Sequence, residues 1–289
     1  MGLELYLGSV REVLSSDREH NSTEEYQAEQ TKIDKIITAI KQEIKNQTGK
    51  TPRWKDPDSN TDEQIPDISI CLGEYELLHQ LREFALCLEK DPGYNSASPD
   101  GFGWKILRAI NKSERSYIFN TPSSQGLRSQ VEIIKVLTSE GKKVDIKNSS
   151  LTVKGLDNRL MEIYLGKNKA NFPQLINHSD SNGFYLPCYF PESIWVKDII
   201  NKNSSNGLIS VGSSIGLLEE LLKINEIFNI DIKKVSVRKG LNIFIEEVST
   251  DYRQGAIRRA WAILFYMCYN SKQYNIPLIF SGSASIFNS

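Results

Sequence analysis

The chain has 289 residues, of which 39% are hydrophobic and 25% charged, and its formal net charge is −1. At about 150 residues per domain this length gives about two domains or one large one, and the composition is that of a folded globular chain. Fibrous and collagen-like classes are excluded, and a chain this long buries about three quarters of its unfolded surface without help from disulfides or metal.

The four cysteines are Cys71, Cys87, Cys188 and Cys268. None pairs with another at CxxC spacing, and each has apolar neighbours, so reduced, buried thiols in the cytoplasm are expected. Only His20, His79 and His178 could add metal ligands, and none clusters with a cysteine. No metal and no cofactor is expected. The opening Met1-Gly2-Leu3-Glu4-Leu5-Tyr6 has neither the basic start nor the apolar run of a signal peptide. The longest apolar stretch, Ala260 to Tyr269, is about half the length a membrane span needs, so no membrane association is expected.

Charge is unevenly spread. Residues 1–100 carry 11 Lys+Arg and 20 Asp+Glu, whereas residues 101–289 carry 24 and 16. The first part is therefore acidic and the second basic. Three uses follow: attraction between the two parts, docking of a basic partner by the acidic part, or contact of the basic part with a phosphate-bearing ligand.

In chain order, Leu3, Leu5, Tyr6 and Leu7 open with strand-like alternation. Isoleucines at 33, 36, 37, 40 and 44 then step by three and four, which predicts a helix over about 23–47. Ser22 or Thr23 caps it, and Thr48-Gly49 ends it. Residues 48–66 read as a polar loop with three prolines and Asp56, Asp58, Asp62 and Glu63, and Trp54 reads as its anchor on the core. A second helix is predicted over 74–89, turns over 90–103, and further helices over 104–111 and 127–140. Strand pairs are expected at 144–146 with 151–153, and at 235–238 with 241–248 over the Lys239-Gly240 turn. Residues 157–165 are ambiguous between helix and strand. Strands are also expected at 183–190, 208–211 and 276–280. Helices are expected at 215–229 and from an Asp251 cap to about 271.

The sum is an α+β fold: a helical, acidic N-terminal part (1–125) packed on a mixed α/β C-terminal part (126–289).

Three constellations could carry chemistry. Gly49-Lys50-Thr51 has the ending of a phosphate loop, but Ile44 stands where the first glycine belongs and a helix precedes it. It reads as a helix terminus. Gly212-Ser213-Ser214-Ile215-Gly216 has the G-x-S-x-G form, between a short apolar run and a helix. As a nucleophile elbow it would make Ser214 the nucleophile, but no histidine follows it in the chain. The bland reading is that Ser213 or Ser214 caps the helix. Residues 178–187 contain His178, Ser179, Asp180, Asn182 and Tyr185 around an Asx-Gly turn. They make either a small pocket or a self-satisfied turn.

The runs "NHSDSNGFYLP" and "VGSSIGLLEEL", with the opening "LELYLGSV", resemble a pattern in uncharacterised bacterial proteins. The resemblance covers about 50 residues. Related families include immunity and accessory proteins of bacterial conflict systems, so it implies a binding role and brings no catalytic residues.

Two functions are carried forward. The first is a cytoplasmic protein-binding module, of immunity or regulatory type, docking a basic partner such as a toxin or effector through its acidic part. Nucleic acid is not expected as a partner, because aromatic residues are not interleaved with the basic ones. The binding residues would be His178, Ser179, Asp180, Asn182, Tyr185 and Ser213. The second is a hydrolase-like enzyme in which the 178–185 turn meets the Ser213–Ser214 helix start and His178 serves as base to Ser214.

Overall fold

The computed structural model describes residues 2–15, 22–57, 68–74, 77–78, 81–82, 84–85, 88, 171–178, 183–200, 208–248 and 254–282. The expected elements at 90–103, 104–111, 127–140, 144–153 and 157–165, and the Asp251 cap, lie outside these residues, as does most of the loop beyond Pro57.

The fold is α+β, built on one mixed six-stranded sheet. Its strands are β1 (Gly2–Leu7), β2 (Ser69–Glu74), β3 (Phe184–Leu186), β4 (Ile194–Lys197), β5 (Leu208–Ser213) and β6 (Leu278–Gly282), in the order β2-β1-β6-β3-β5-β4. Only β3 and β5 run parallel; the other neighbours are antiparallel. The sheet thus joins strands from both ends of the chain.

Alternation along the strands feeds two cores. On one face Leu3, Leu5, Ile70, Leu72, Tyr185, Leu278 and Phe280 pack under the larger helical layer. That layer contains the helical residues among 77–88, α3 (Pro173–Asn177), α4 (Ser214–Phe228), α5 (Ile232–Val235), α6 (Arg238–Val248) and α7 (Gln254–Tyr274). On the other face Phe184, Leu186, Ile194, Val196, Val211 and Ile279 meet α1 (Val10–Leu14) and α2 (Thr23–Thr48).

Helix α2 forms as its sequence dictates. The Ser22 hydroxyl accepts the Glu25 N–H, the five isoleucines are buried, and Gly49 closes the helix in the left-handed region at φ 71°. Helix α7 is buried nearly all round from Ala260 to Cys268. The Trp261 Nε1–H donates to the Leu221 carbonyl at 2.7 Å and ties α7 to α4.

Several expectations are corrected. The hairpin over Lys239-Gly240 is instead a pair of helices, α5 and α6. Leu241, Phe244, Ile245 and Val248 step by three and four and pack into the same core as α7, and the Asp231 carboxylate caps α5 by accepting the Lys233 and Lys234 N–H groups. A helical period outweighed a two-residue turn signal. Strands β2 and β4 were not expected. Both are short, β4 only four residues long, and both lie at sheet edges where one side needs no partner. The strand expected over 183–190 is regular only at Phe184–Leu186, because Pro187 has no N–H to continue the ladder.

Trp54 does anchor its loop. It packs against the α2-side core, and Lys41 Nζ sits 5.0 Å from its ring centroid. No helix among the described residues is long and apolar enough to cross a membrane. No group of three or more His, Cys, Asp or Glu among them could hold a metal ion.

Candidate functional site

The parallel pairing of β3 with β5 sets Tyr185 against Gly212 and Leu186 against Ser213. The two segments singled out from sequence therefore converge. What they build is a buried, hydrogen-bonded centre around the short helix α3.

Helix α3 has no side-chain cap at its own N-cap, Phe172. The cap comes from a distant residue. Glu220, buried on α4, accepts the Gln174 N–H at 2.7 Å and the Leu175 N–H at 2.8 Å. At the other end, buried Arg82 donates to the Leu175 carbonyl at 2.8 Å, to the Ile176 carbonyl at 3.2 Å, and to the His178 carbonyl. A carboxylate at the amino end and a guanidinium at the carbonyl end both oppose the helix dipole and satisfy its orphan groups. Gln174 is the hub. Its Nε2 donates to the Phe190 carbonyl at 2.8 Å, and its Oε1 accepts from the Ser213 N–H at 2.8 Å and the Ser193 hydroxyl at 3.0 Å. The Tyr185 hydroxyl donates to the Gln174 carbonyl at 3.1 Å.

The predicted residues take these places. His178 is buried; its Nε2 donates to the Phe184 carbonyl at 3.2 Å, and its ring stacks on Tyr185 with centroids 3.9 Å apart. Gly212 passes so close beneath these rings that a Cβ there would lie 2.3 Å from Tyr185 and 2.9 Å from His178. Ser213 is the N-cap of α4. Its hydroxyl accepts the Gly216 N–H at 2.8 Å and donates to the Cys188 carbonyl at 2.7 Å. The Ser214 hydroxyl is fully buried, 3.2 Å from the Leu186 carbonyl and 3.0 Å from Ser271 Oγ, which itself donates to the Ile276 carbonyl at 2.7 Å. These groups are committed to holding loops and helix ends. Ser179, Asp180 and Asn182 lie outside the described residues.

The sequence reading missed Arg82, Gln174 and Glu220. The signal was present: Arg82 and Glu220 sit among leucines, in "LLHQLREFAL" and "GLLEELL", where a charge on an apolar helix face requires a buried partner. Of the thiols expected to be buried, Cys268 is buried, Cys188 is half-buried and Cys71, on an edge strand, is exposed, while Cys87 lies outside the described residues. Cys188 is pushed up to about 12 by desolvation. Cys268 is raised further by desolvation and by the charge of Glu220.

Surface charge completes the picture. On α2 the exposed Glu24, Glu25, Asp34 and Glu43 alternate with exposed Lys32, Lys35, Lys41 and Lys45. Arg11 bridges Asp34 at 2.6 Å and approaches Asp56 at 3.9 Å. The described residues of 1–100 carry nine Asp+Glu against nine Lys+Arg. The acidic excess of that part therefore belongs to its other residues.

No curated protein and no solved structure matches the chain. Residues 1–280 match the family described as "Putative DNA-mimic protein". This overturns the expectation that nucleic acid has no part among this protein's partners, because a DNA-mimic family points to partners that bind nucleic acid. A DNA mimic takes the place of nucleic acid on a protein that binds it, and what recognises such a partner is uncompensated negative charge, which needs no interleaved aromatics. The expectation of a protein partner with a basic surface stands in that general form. With 280 of its 289 residues matched, the chain belongs to this DNA-mimic family.

Proposed function

We propose that this protein regulates a DNA-binding protein in the cytoplasm by occupying its basic DNA-binding face, and that the carboxylates of 57–81 stand in for phosphates. The observation that carries this is a charge pattern inside a chain of the DNA-mimic family. Residues 57–81 contain six Asp and Glu and no Lys or Arg, whereas Asp56, just before them, is engaged by Arg11 and by the Val10 N–H. Carboxylates with no neighbouring cation keep their full charge available to a partner, whereas those of α2 are interspersed with lysines and offer little net field. An immunity or regulatory role follows from the same chemistry, because a partner holding this protein cannot hold DNA.

DNA carries one charge per ~1.7 Å and a condensed layer of counterions that a bound protein displaces. Six carboxylates on a folded chain are far fewer charges than a duplex carries and gather no such layer, so fewer ions are released on binding. The complex with this protein should therefore lose affinity with salt less steeply than the partner's complex with DNA.

The test is capture on the immobilised full chain at low salt, followed by elution with duplex DNA. The reading expects a protein that duplex DNA elutes and that binds duplex DNA on its own. If nothing captured is eluted by DNA or binds it, the reading fails.

A further inference from the structure

Away from the α3 centre, an open groove of about 550 Å³ lies beside the C-terminal end of α2. One wall is the segment after the helix, with Lys50, Thr51 and Arg53; the other is the β3–β4 connection, with Cys188, Tyr189 and Pro191. Both walls are fixed from behind. On the first, half-buried Trp54 packs against the core, and the Lys55 N–H donates to the Asn275 carbonyl at 2.9 Å. On the second, the carbonyls of Cys188 and Phe190 are held by Ser213 and Gln174. Across the groove, the Glu192 N–H donates to Gln47 Oε1 at 3.4 Å. The groove is therefore largely preformed, and its volume is in the range of small-molecule sites.

Its lining is cationic and aromatic. Lys50 and Arg53 are exposed and make no ion pair among the described residues. The carbonyl end of α2 supplies only about half a negative charge, so two cations leave the groove positive. Tyr189 is 52% exposed, so its ring offers an open face on which a base can stack.

From this juxtaposition we infer that the groove binds a phosphorylated nucleoside, with its phosphate held by Lys50 and Arg53 and its base laid on Tyr189. The phosphate contact is made by side chains and not by a backbone cradle, which is why no phosphate-loop motif is needed. The site is independent of the acidic segment, and its fate does not decide the proposed function.

The test is isothermal titration of the full chain, without any partner, with AMP, adenosine and inorganic phosphate. The expected result is saturable binding of AMP, with adenosine and phosphate each at least ~10-fold weaker. Lys50→Gln with Arg53→Gln should weaken AMP about 100-fold, and Tyr189→Ala about 10-fold, as base stacking on aromatics is lost. The charge-preserving pair Lys50→Arg with Arg53→Lys should stay within about 3-fold, which separates charge from misfolding. The inference is overturned if AMP does not saturate, if phosphate alone binds as tightly as AMP, or if the neutral pair binds like the wild type.

Discussion

Charge is used in opposite ways in two regions of this molecule. Around α3, Glu220 and Arg82 are buried and spent on backbone groups at either end of a five-residue helix. In 57–81 six carboxylates follow one another in the sequence without a Lys or Arg among them. The first arrangement satisfies its charges internally, and what it supports is the fold. On the proposed function the second leaves its charges for a partner, and what it supports is recognition. Removing charge from the first region should therefore cost stability and spare binding by folded molecules. Removing charge from the second should do the reverse.

The largest effect is expected at α3. Glu220→Ala leaves two buried N–H groups without an acceptor and should cost about 3 kcal/mol of unfolding free energy. Arg82→Met, which strips the carbonyls at the other end, should cost a similar amount, and both are read from urea denaturation. A loss under about 1 kcal/mol from either would show that α3 is not held by its charged ends.

Next comes the acidic segment. Asp58→Asn with Asp62→Asn, Glu63→Gln and Asp67→Asn should weaken partner binding about 100-fold, or about 2.7 kcal/mol. It should shift the denaturation midpoint little, as substitutions of charges not used in folding do. If this variant unfolded instead, the contrast between the two regions would collapse.

A smaller effect is expected at the α4 cap. Ser213→Ala removes the acceptor for the Gly216 N–H and should cost about 1 kcal/mol.

The smallest concerns the thiols. Burial raises Cys188 to about 12 from an ordinary value of 9.0, and Cys268 in the same direction. A thiol raised by folding contributes stability that is fully present below its unfolded value and lost as pH rises toward the folded one. Stability should therefore decline above about pH 9, and the decline should be shallower in Cys188→Ala. At pH 8, iodoacetamide followed by peptide mass spectrometry should label exposed Cys71 well before Cys188 and Cys268.

Much of the fold was legible in the sequence, for reasons that lie in particular residues. The isoleucine stripe of α2, its Ser22 cap and its Gly49 terminus are local signals with local outcomes. The apolar run of α7 announced a central helix in the same way. The edge strands β2 and β4 were not legible, because four to six residues carry little periodicity and are specified by their neighbours. Residues 235–248 misled because Lys239-Gly240 has the look of a turn, while the four-residue spacing of Leu241, Ile245 and Phe244 with Val248 is what the core selects.

At the candidate site, sequence identified the converging segments around His178 and Ser213. The residues that organise them, Gln174, Glu220 and Arg82, come from three remote places in the chain and meet only in the folded state. The net acidity of the first part was legible. The kind of partner it addresses was not, because a count of charges does not distinguish a protein that binds DNA from a basic protein of any other class.

The most direct test of the central claim is an equilibrium competition at fixed salt. The partner eluted by DNA is bound to a fluorescent duplex, and the wild type and the four-residue acidic variant are titrated against it. The account predicts displacement by the wild type with a midpoint about 100-fold lower than that of the variant. Equal displacement by both, or none by the wild type, would contradict it.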